Sequence, residues 1–181
     1  MKRFHCILSR MFLPAAVLTL AVLLLLISLF ETTQAAYLPS DGGKTLHIIM
    51  YHSILKDPAR TGKYVVTPAQ LRADFEYLRK HGYTSVLPRD LVKYAKGEAD
   101  LPEKCVMLTF DDGYYNNLLY LLPLLEEYSF NALISVVGKF ARIYTDSGDK
   151  NPNYAHLAYD DIRLLDASGR IEIGNHTYDM H

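Results

Sequence analysis

The sequence predicts an α/β domain in which strands and helices alternate along the chain. Two observations predict it: short apolar runs recur from residue 45 onwards, and helix-start and helix-stop signals separate them. Such alternation favours a parallel sheet with helices outside it, as either an open sheet or a (β/α) barrel. In both architectures, functional residues gather at the carboxyl ends of the strands.

The elements can be assigned in order. The first strand is predicted at residues 46–51, and a helix follows in which Thr67 is the cap, Pro68 fits the first turn and Gln70 completes a capping box. Its apolar face and its terminating glycine are Leu71, Phe75, Leu78 and Gly82. Further strands are predicted at 84–87, 106–110, 131–137 and 171–173, helices at 89–96, 115–128 and 160–167, and a polar loop at 145–153.

Residues 1–36 are predicted to be a membrane anchor or a signal peptide. Lys2, Arg3 and Arg10 precede an uncharged run at residues 11–30. About 20 apolar residues span a bilayer, whereas a cleavable signal has about 7–15, so the length favours a retained anchor. Small residues near Ala35 leave cleavage and secretion as the alternative. In either case the basic residues stay cytoplasmic, and the chain after about Glu31 is expected outside the cell.

The remaining chain, residues 37–181, carries 16 Lys and Arg against 19 Asp and Glu. This mild acidity, without a basic stripe, argues against a nucleic-acid partner. Cys105 is the one cysteine in this part, so it forms no intrachain disulfide and is expected to be a small buried hydrophobe.

Two polar motifs fall at predicted strand ends: T-F-D-D-G at residues 109–113 and I-E-I-G-N-H-T-Y-D-M-H at residues 171–181. Neighbours leaving a strand point to opposite sides, so one of Asp111 and Asp112 can bind a metal while the other faces water. His176 and His181 would lie about 140° apart on a helix, so a turn must separate them. One carboxylate and two imidazoles leave positions open, as in a hydrolytic zinc site.

These residues resemble the motifs of the polysaccharide deacetylases that share the NodB homology domain, carbohydrate esterase family 4. The resemblance covers about residues 45–181. The five-residue histidine spacing, with M-Y-H-S-I at residues 50–54, is similar to the branch that includes poly-N-acetylglucosamine deacetylases. The resemblance to this family implies that Asp111 is the catalytic base and that the ligands of a divalent metal are Asp112, His176 and His181. Zinc is the expected metal, and cobalt, nickel and iron are alternatives.

The resemblance also implies an activity and a fold. The activity is removal of N-acetyl groups from a GlcNAc-containing cell-surface polysaccharide by a hydrolase acting on non-peptide carbon–nitrogen bonds. The fold is a distorted (β/α) barrel, and such barrels need about 200–250 residues. The family's general acid, a later histidine, lies in a motif that residues 37–181 do not contain. We therefore expect an N-terminal portion of the domain with its later strands missing. The alternative is an inactive fragment that at most binds metal or glycan.

The other histidines and tyrosines carry weaker signals. His52 ends the first strand and is expected either behind the metal ligands or buried against backbone. Tyr114 and Tyr115 follow the acidic pair and can stack on a sugar ring or pack in the core. Structural or surface roles are expected for His47, His81 and His156.

Overall fold

The computed structural model describes residues 44–180, over which strands and helices alternate. The strands are β1 (Leu46–Tyr51), β2 (Ser53–Ile54), β3 (Val65–Val66), β4 (Thr84–Ser85), β5 (Cys105–Phe110), β6 (Ala132–Val137) and β7 (Ile171–Thr177). The α-helices are α1 (Pro68–Lys80), α2 (Pro88–Ala95), α3 (Leu122–Tyr128), α4 (Gly138–Ser147) and α5 (Tyr159–Ala167). None of these helices is long and apolar enough to cross a bilayer. The predicted anchor or signal peptide, residues 1–36, lies outside the described range.

Five of the strands form one parallel sheet. Its order is β1-β5-β6-β7, and β4 lies beside the first half of β5. Within residues 44–180, β1 and β7 each pair with a single strand, so the sheet is open. β2 and β3 form a separate two-stranded ribbon just after β1. Because the strands of the sheet run in one direction, their carboxyl ends and the loops that follow them share one edge.

The centre of the sheet is strongly apolar. Five of the six residues of β5 are buried, and Thr109 is the partly exposed exception. This near-continuous apolar run is typical of a parallel strand covered on both faces. Cys105, at the start of β5, is fully buried and forms no disulfide, which confirms its predicted place in the core.

The first helix follows the sequence prediction closely. The Thr67 hydroxyl accepts a hydrogen bond from the Gln70 backbone N–H at 3.1 Å, and the Gln70 side chain accepts one from the Thr67 N–H at 2.8 Å. These reciprocal bonds satisfy backbone donors that the first helical turn leaves without partners. The predicted apolar face is buried in the core, at Leu71, Phe75 and Leu78.

Helix α4 corrects the sequence prediction. A polar loop was predicted from Thr145, whereas α4 continues to Ser147 and ends at Gly148, whose φ is +67°. The Thr145 hydroxyl donates to the carbonyl oxygen of Ala141 at 2.7 Å, so its side chain bonds to the preceding turn instead of interrupting it. The polar composition of this segment reflects the exposed end of a helix.

The helix predicted at residues 115–128 is also irregular. Asn117–Leu121 is π-helical, and α3 begins directly after it. Pro123 lies at the start of α3, where it has no backbone N–H to donate and its ring would collide with the carbonyl four residues earlier. The wider π-helical turn places that carbonyl elsewhere, which lets the chain remain helical across the proline.

Candidate functional site

The candidate site lies at the carboxyl edge of the sheet, where β5 and β7 end on either side of β6. Asp111 and Asp112 follow β5 directly, and His176 is the penultimate residue of β7. Pairing of β7 with β6 is regular up to Asn175, and it resumes at Thr177 with a shift in register. His176 is therefore the extra residue of a β-bulge, which bends the strand and redirects the side chain.

A tight turn separates the two carboxylates. The Asp111 N–H donates to the carbonyl oxygen of Tyr51 at 2.9 Å, which extends the ladder between β1 and β5 by one residue. Asp112 then adopts a left-handed backbone with φ of +69°, and its side chain is 4% exposed, while Asp111 is only partly buried. Alternation of side chains along a strand was the expected reason for this separation. The structure corrects the reason, because Asp112 is already outside the extended region of the strand.

Gly113 lets this turn lie directly against the neighbouring strand. Its φ is +68°, and a β-carbon at this position would lie 2.9 Å from Cγ1 of Val136 and 3.3 Å from its Cα. Real β-carbons essentially never approach another heavy atom as closely as 2.9 Å. Two features therefore require glycine at position 113: the left-handed backbone angle and the close approach of β6.

The geometry brings two predicted metal ligands together. Nε2 of His176 lies 3.8 Å from Oδ1 of Asp112. Two ligands of one tetrahedral zinc, each about 2.0–2.1 Å from the metal, lie about 3.3 Å apart, so a small movement would let both bind one ion. A buried carboxylate beside an imidazole also matches the donor types that zinc prefers. Within residues 44–180, no group of three or more such side chains is assembled, and the third predicted ligand, His181, lies outside this range.

The chain after β7 is held against α4. The Lys139 N–H donates to the Tyr178 carbonyl at 2.9 Å, and the Lys139 ammonium lies 2.7 Å from an Asp179 carboxylate oxygen. Met180 N–H donates to the Thr177 hydroxyl at 3.2 Å, which forms a turn directly after the strand. The sequence requires a turn between His176 and His181, and a turn begins directly after β7.

The remaining candidates lie at the same edge in different surroundings. The His52 ring packs against the Tyr64 ring with centroids 4.7 Å apart. Tyr114 stacks on His156 at 4.6 Å, and partial burial together with the Asp112 carboxylate raises the pKa of its hydroxyl. Tyr115 is half-buried against the core. Thus Tyr114 lies beside the acidic turn, while His52 lies in the neighbouring loop between β1 and β2.

Sequence reasoning missed one residue that connects the loops of the site. Asn116 is fully buried and accepts a hydrogen bond from the Ile54 N–H at 3.0 Å. Its amide donates to the Ser53 hydroxyl at 2.9 Å and to the Pro152 carbonyl at 3.0 Å. A single side chain thereby joins the segment after β1, the acidic loop and the loop before α5. Its position four residues after Asp112 was the only signal available in the sequence.

Comparisons with known proteins agree with this arrangement. Residues 98–181 match the family model described as polysaccharide deacetylase. A poly-beta-1,6-N-acetyl-D-glucosamine N-deacetylase of Escherichia coli O157:H7 is 26% identical over an alignment 180 residues long, which covers 91% of this chain and 27% of that protein. The chain therefore spans about a quarter of the length of this relative.

Two solved structures share the fold. A de-N-acetylase from Aggregatibacter actinomycetemcomitans superposes with a TM-score of 0.66 at 27% identity, covering 75% of this chain and 56% of that one. IcaB from Ammonifex degensii gives a TM-score of 0.62 at 28% identity, covering 77% and 55%. The open parallel sheet and the site at its carboxyl edge thus define an α/β protein of the deacetylase fold, as predicted. The chain is thus similar to polysaccharide deacetylases of the NodB type, in sequence over residues 98–181 and in fold over about three quarters of its length.

Proposed function

We propose that this domain removes N-acetyl groups from a GlcNAc-containing polysaccharide of the cell surface. The observation that carries the proposal is the buried Asp112 carboxylate 3.8 Å from His176, at the carboxyl edge of a deacetylase fold. The names of the relative and of the first solved structure support the same reaction, because both are described as N-deacetylases. The name of the relative also favours a β-1,6-linked polymer of N-acetylglucosamine.

Metal dependence is part of the proposal. Asp112, His176 and His181 are the proposed ligands of a divalent metal, with zinc preferred over cobalt, nickel or iron. When bound, the ion would polarise the amide carbonyl and lower the pKa of a water molecule. The position of the buried Asp112 carboxylate beside the His176 imidazole supports a ligand role, because carboxylates and imidazoles are donor types that zinc prefers.

Asp111 is the proposed general base. Its backbone is fixed to β1 through the hydrogen bond to Tyr51, and its partly exposed side chain remains accessible to water. From this position it would accept the proton of the water that attacks the amide carbonyl, a contribution of about 10²–10⁴ in rate. Tyr114 and Tyr115 are proposed to contact the sugar, and His52 to support the site from the adjacent loop.

The location of the domain is also a proposal. We place residues 37–181 outside the cell, held by an N-terminal anchor or released by cleavage near Ala35. The basic residues before the uncharged run at residues 11–30 support this orientation, since positive charges are retained on the cytoplasmic side. A polysaccharide substrate at the cell surface is consistent with this side of the membrane.

The activity is tested by acetate release from a purified protein that continues beyond residue 181 through the motif expected to carry the general acid. The substrates are N-acetylglucosamine oligomers with β-1,6 or β-1,4 linkages, assayed after chelation and after zinc is restored. We expect zinc-dependent release that His176→Ala abolishes and that His81→Ala leaves unchanged, because His81 packs on Tyr77 at the end of α1. Release that survives both chelation and His176→Ala would contradict the proposal.

A further inference from the structure

We propose that His156 is a positioning residue for the metal ligand Asp112, an inference that rests on the proposed function. The ring of His156 lies among three aromatic rings. Its centroid is 4.6 Å from that of Tyr114, 4.4 Å from that of Phe140 and 5.4 Å from that of Tyr144. Phe140 and Tyr144 are one turn apart on α4, so they share one face of that helix. The imidazole therefore connects α4 with the residue that follows the acidic turn.

The backbone around His156 is paired with the same turn. His156 forms an isolated antiparallel bridge with Tyr114. On one side, the Leu157 N–H donates to the Gly113 carbonyl at 2.8 Å, and on the other, the Tyr115 N–H donates to the Ala155 carbonyl at 2.8 Å. Because these bonds hold the chain on both sides of Tyr114, directly after the turn, the segment 155–157 restricts the path of the chain that leaves Asp112.

This turn needs external support. Asp112 has φ of +69°, which non-glycine residues seldom adopt and which persists only where the surroundings determine it. If Asp112 relaxed to a negative φ, its carboxylate would leave the position 3.8 Å from His176. The ring of His156 contributes through its flat shape, since stacking needs an aromatic face and no particular protonation state.

The test compares three variants of the full chain. His156→Ala removes the ring, His156→Phe keeps a flat ring without the nitrogens, and His81→Ala removes a stacked histidine elsewhere, whose ring lies 3.9 Å from that of Tyr77. Cobalt affinity and the cobalt absorption spectrum are measured by titration. We expect His156→Ala to weaken binding about 10–100-fold and to change the spectrum, as loss of support behind a ligand typically does. His156→Phe should recover most of the affinity, and His81→Ala should bind as the parent does.

A second measurement does not depend on metal. Amide hydrogen exchange at Tyr115 and Leu157 should accelerate in His156→Ala and return to the parent rate in His156→Phe, while the centre of β5 stays protected. If the parent binds no cobalt, the proposed metal site is wrong, and the exchange rates alone decide the role of His156. Parent-like affinity and exchange in His156→Ala would overturn the inference. So would His156→Phe behaving like His156→Ala, because the nitrogens and not the ring would then matter. If His156→Ala fails to fold, Phe140→Leu removes one stacking partner and should give a smaller change in the same direction.

Discussion

Replacing Gly113 by alanine tests whether the acidic turn depends on its close contact with β6. The left-handed φ of +68° costs an L-residue about 1–2 kcal/mol. The new methyl group would also lie 2.9 Å from Cγ1 of Val136, and relieving such an overlap typically costs about 1–3 kcal/mol. We therefore expect Gly113→Ala to reduce the free energy of unfolding by about 2–5 kcal/mol.

The control is Gly82→Ala. Gly82 has a similar φ of +73°, but an added β-carbon would meet nothing within 4 Å. Its expected cost is the backbone part alone, about 1–2 kcal/mol. Stability is measured by urea denaturation for Gly82→Ala, for Gly113→Ala, for Val136→Ala and for the double variant Gly113→Ala/Val136→Ala. Removing Cγ1 of Val136 should restore part of the loss, as a favourable coupling of about 1 kcal/mol in a double-mutant cycle. Equal costs for Gly113→Ala and Gly82→Ala, with no coupling to Val136, would refute the close-approach argument.

Three further outcomes are expected. Burial and the hydrogen bond to Asp74 raise the pKa of the Tyr51 hydroxyl, so the stability that Tyr51 contributes is complete below its unfolded pKa near 10 and falls above that pH. In urea denaturation, Tyr51→Phe should therefore lose less stability at alkaline pH than the parent does. The same loss in both proteins would contradict this. Lys150→Met should reduce the free energy of unfolding by about 1–3 kcal/mol, because it leaves the Asp161 carboxylate, which is 6% exposed, without its cation. A stability equal to that of the parent would contradict a contribution from this ion pair. External protease should degrade the domain on intact cells, and resistance there but not after lysis would contradict its proposed location.

The sequence predicted the positions of the candidate residues along the strands better than the local backbone geometry around them. Asp111, Asp112 and His176 were assigned correctly to strand ends because apolar periodicity marks the strands, and the carboxyl ends of parallel strands share an edge. The left-handed turn at Asp112 and the bulge at His176 were not predictable. The Asp112-Gly113 pair signals a turn in general, but the backbone angles of the turn and the position of the bulge are set by pairing with neighbouring strands and loops.

The same distinction applies to the elements around the site. The capping box at Thr67 was predictable because both of its residues lie within one turn of the chain. The contact between His156 and Tyr114 was not predictable, because the two residues are about 40 positions apart and are brought together by α4 and the loop before α5. The predicted assignment of Asp111 as base and of Asp112 as ligand remains a prediction.

That division of roles is tested most directly by measuring the metal content and the turnover of Asp111→Asn and Asp112→Asn together, in a protein that continues through the motif expected to carry the general acid. Both replace a carboxylate with an amide of the same shape, and asparagine tolerates the left-handed backbone at residue 112, so the fold of the turn should survive. Asp111→Asn is expected to keep its metal and to lose acetate release by about 10²–10⁴, because only proton acceptance is removed. Asp112→Asn is expected to lose metal and acetate release together. Equal metal loss in both variants, or full turnover in Asp111→Asn, would contradict this assignment of base and ligand.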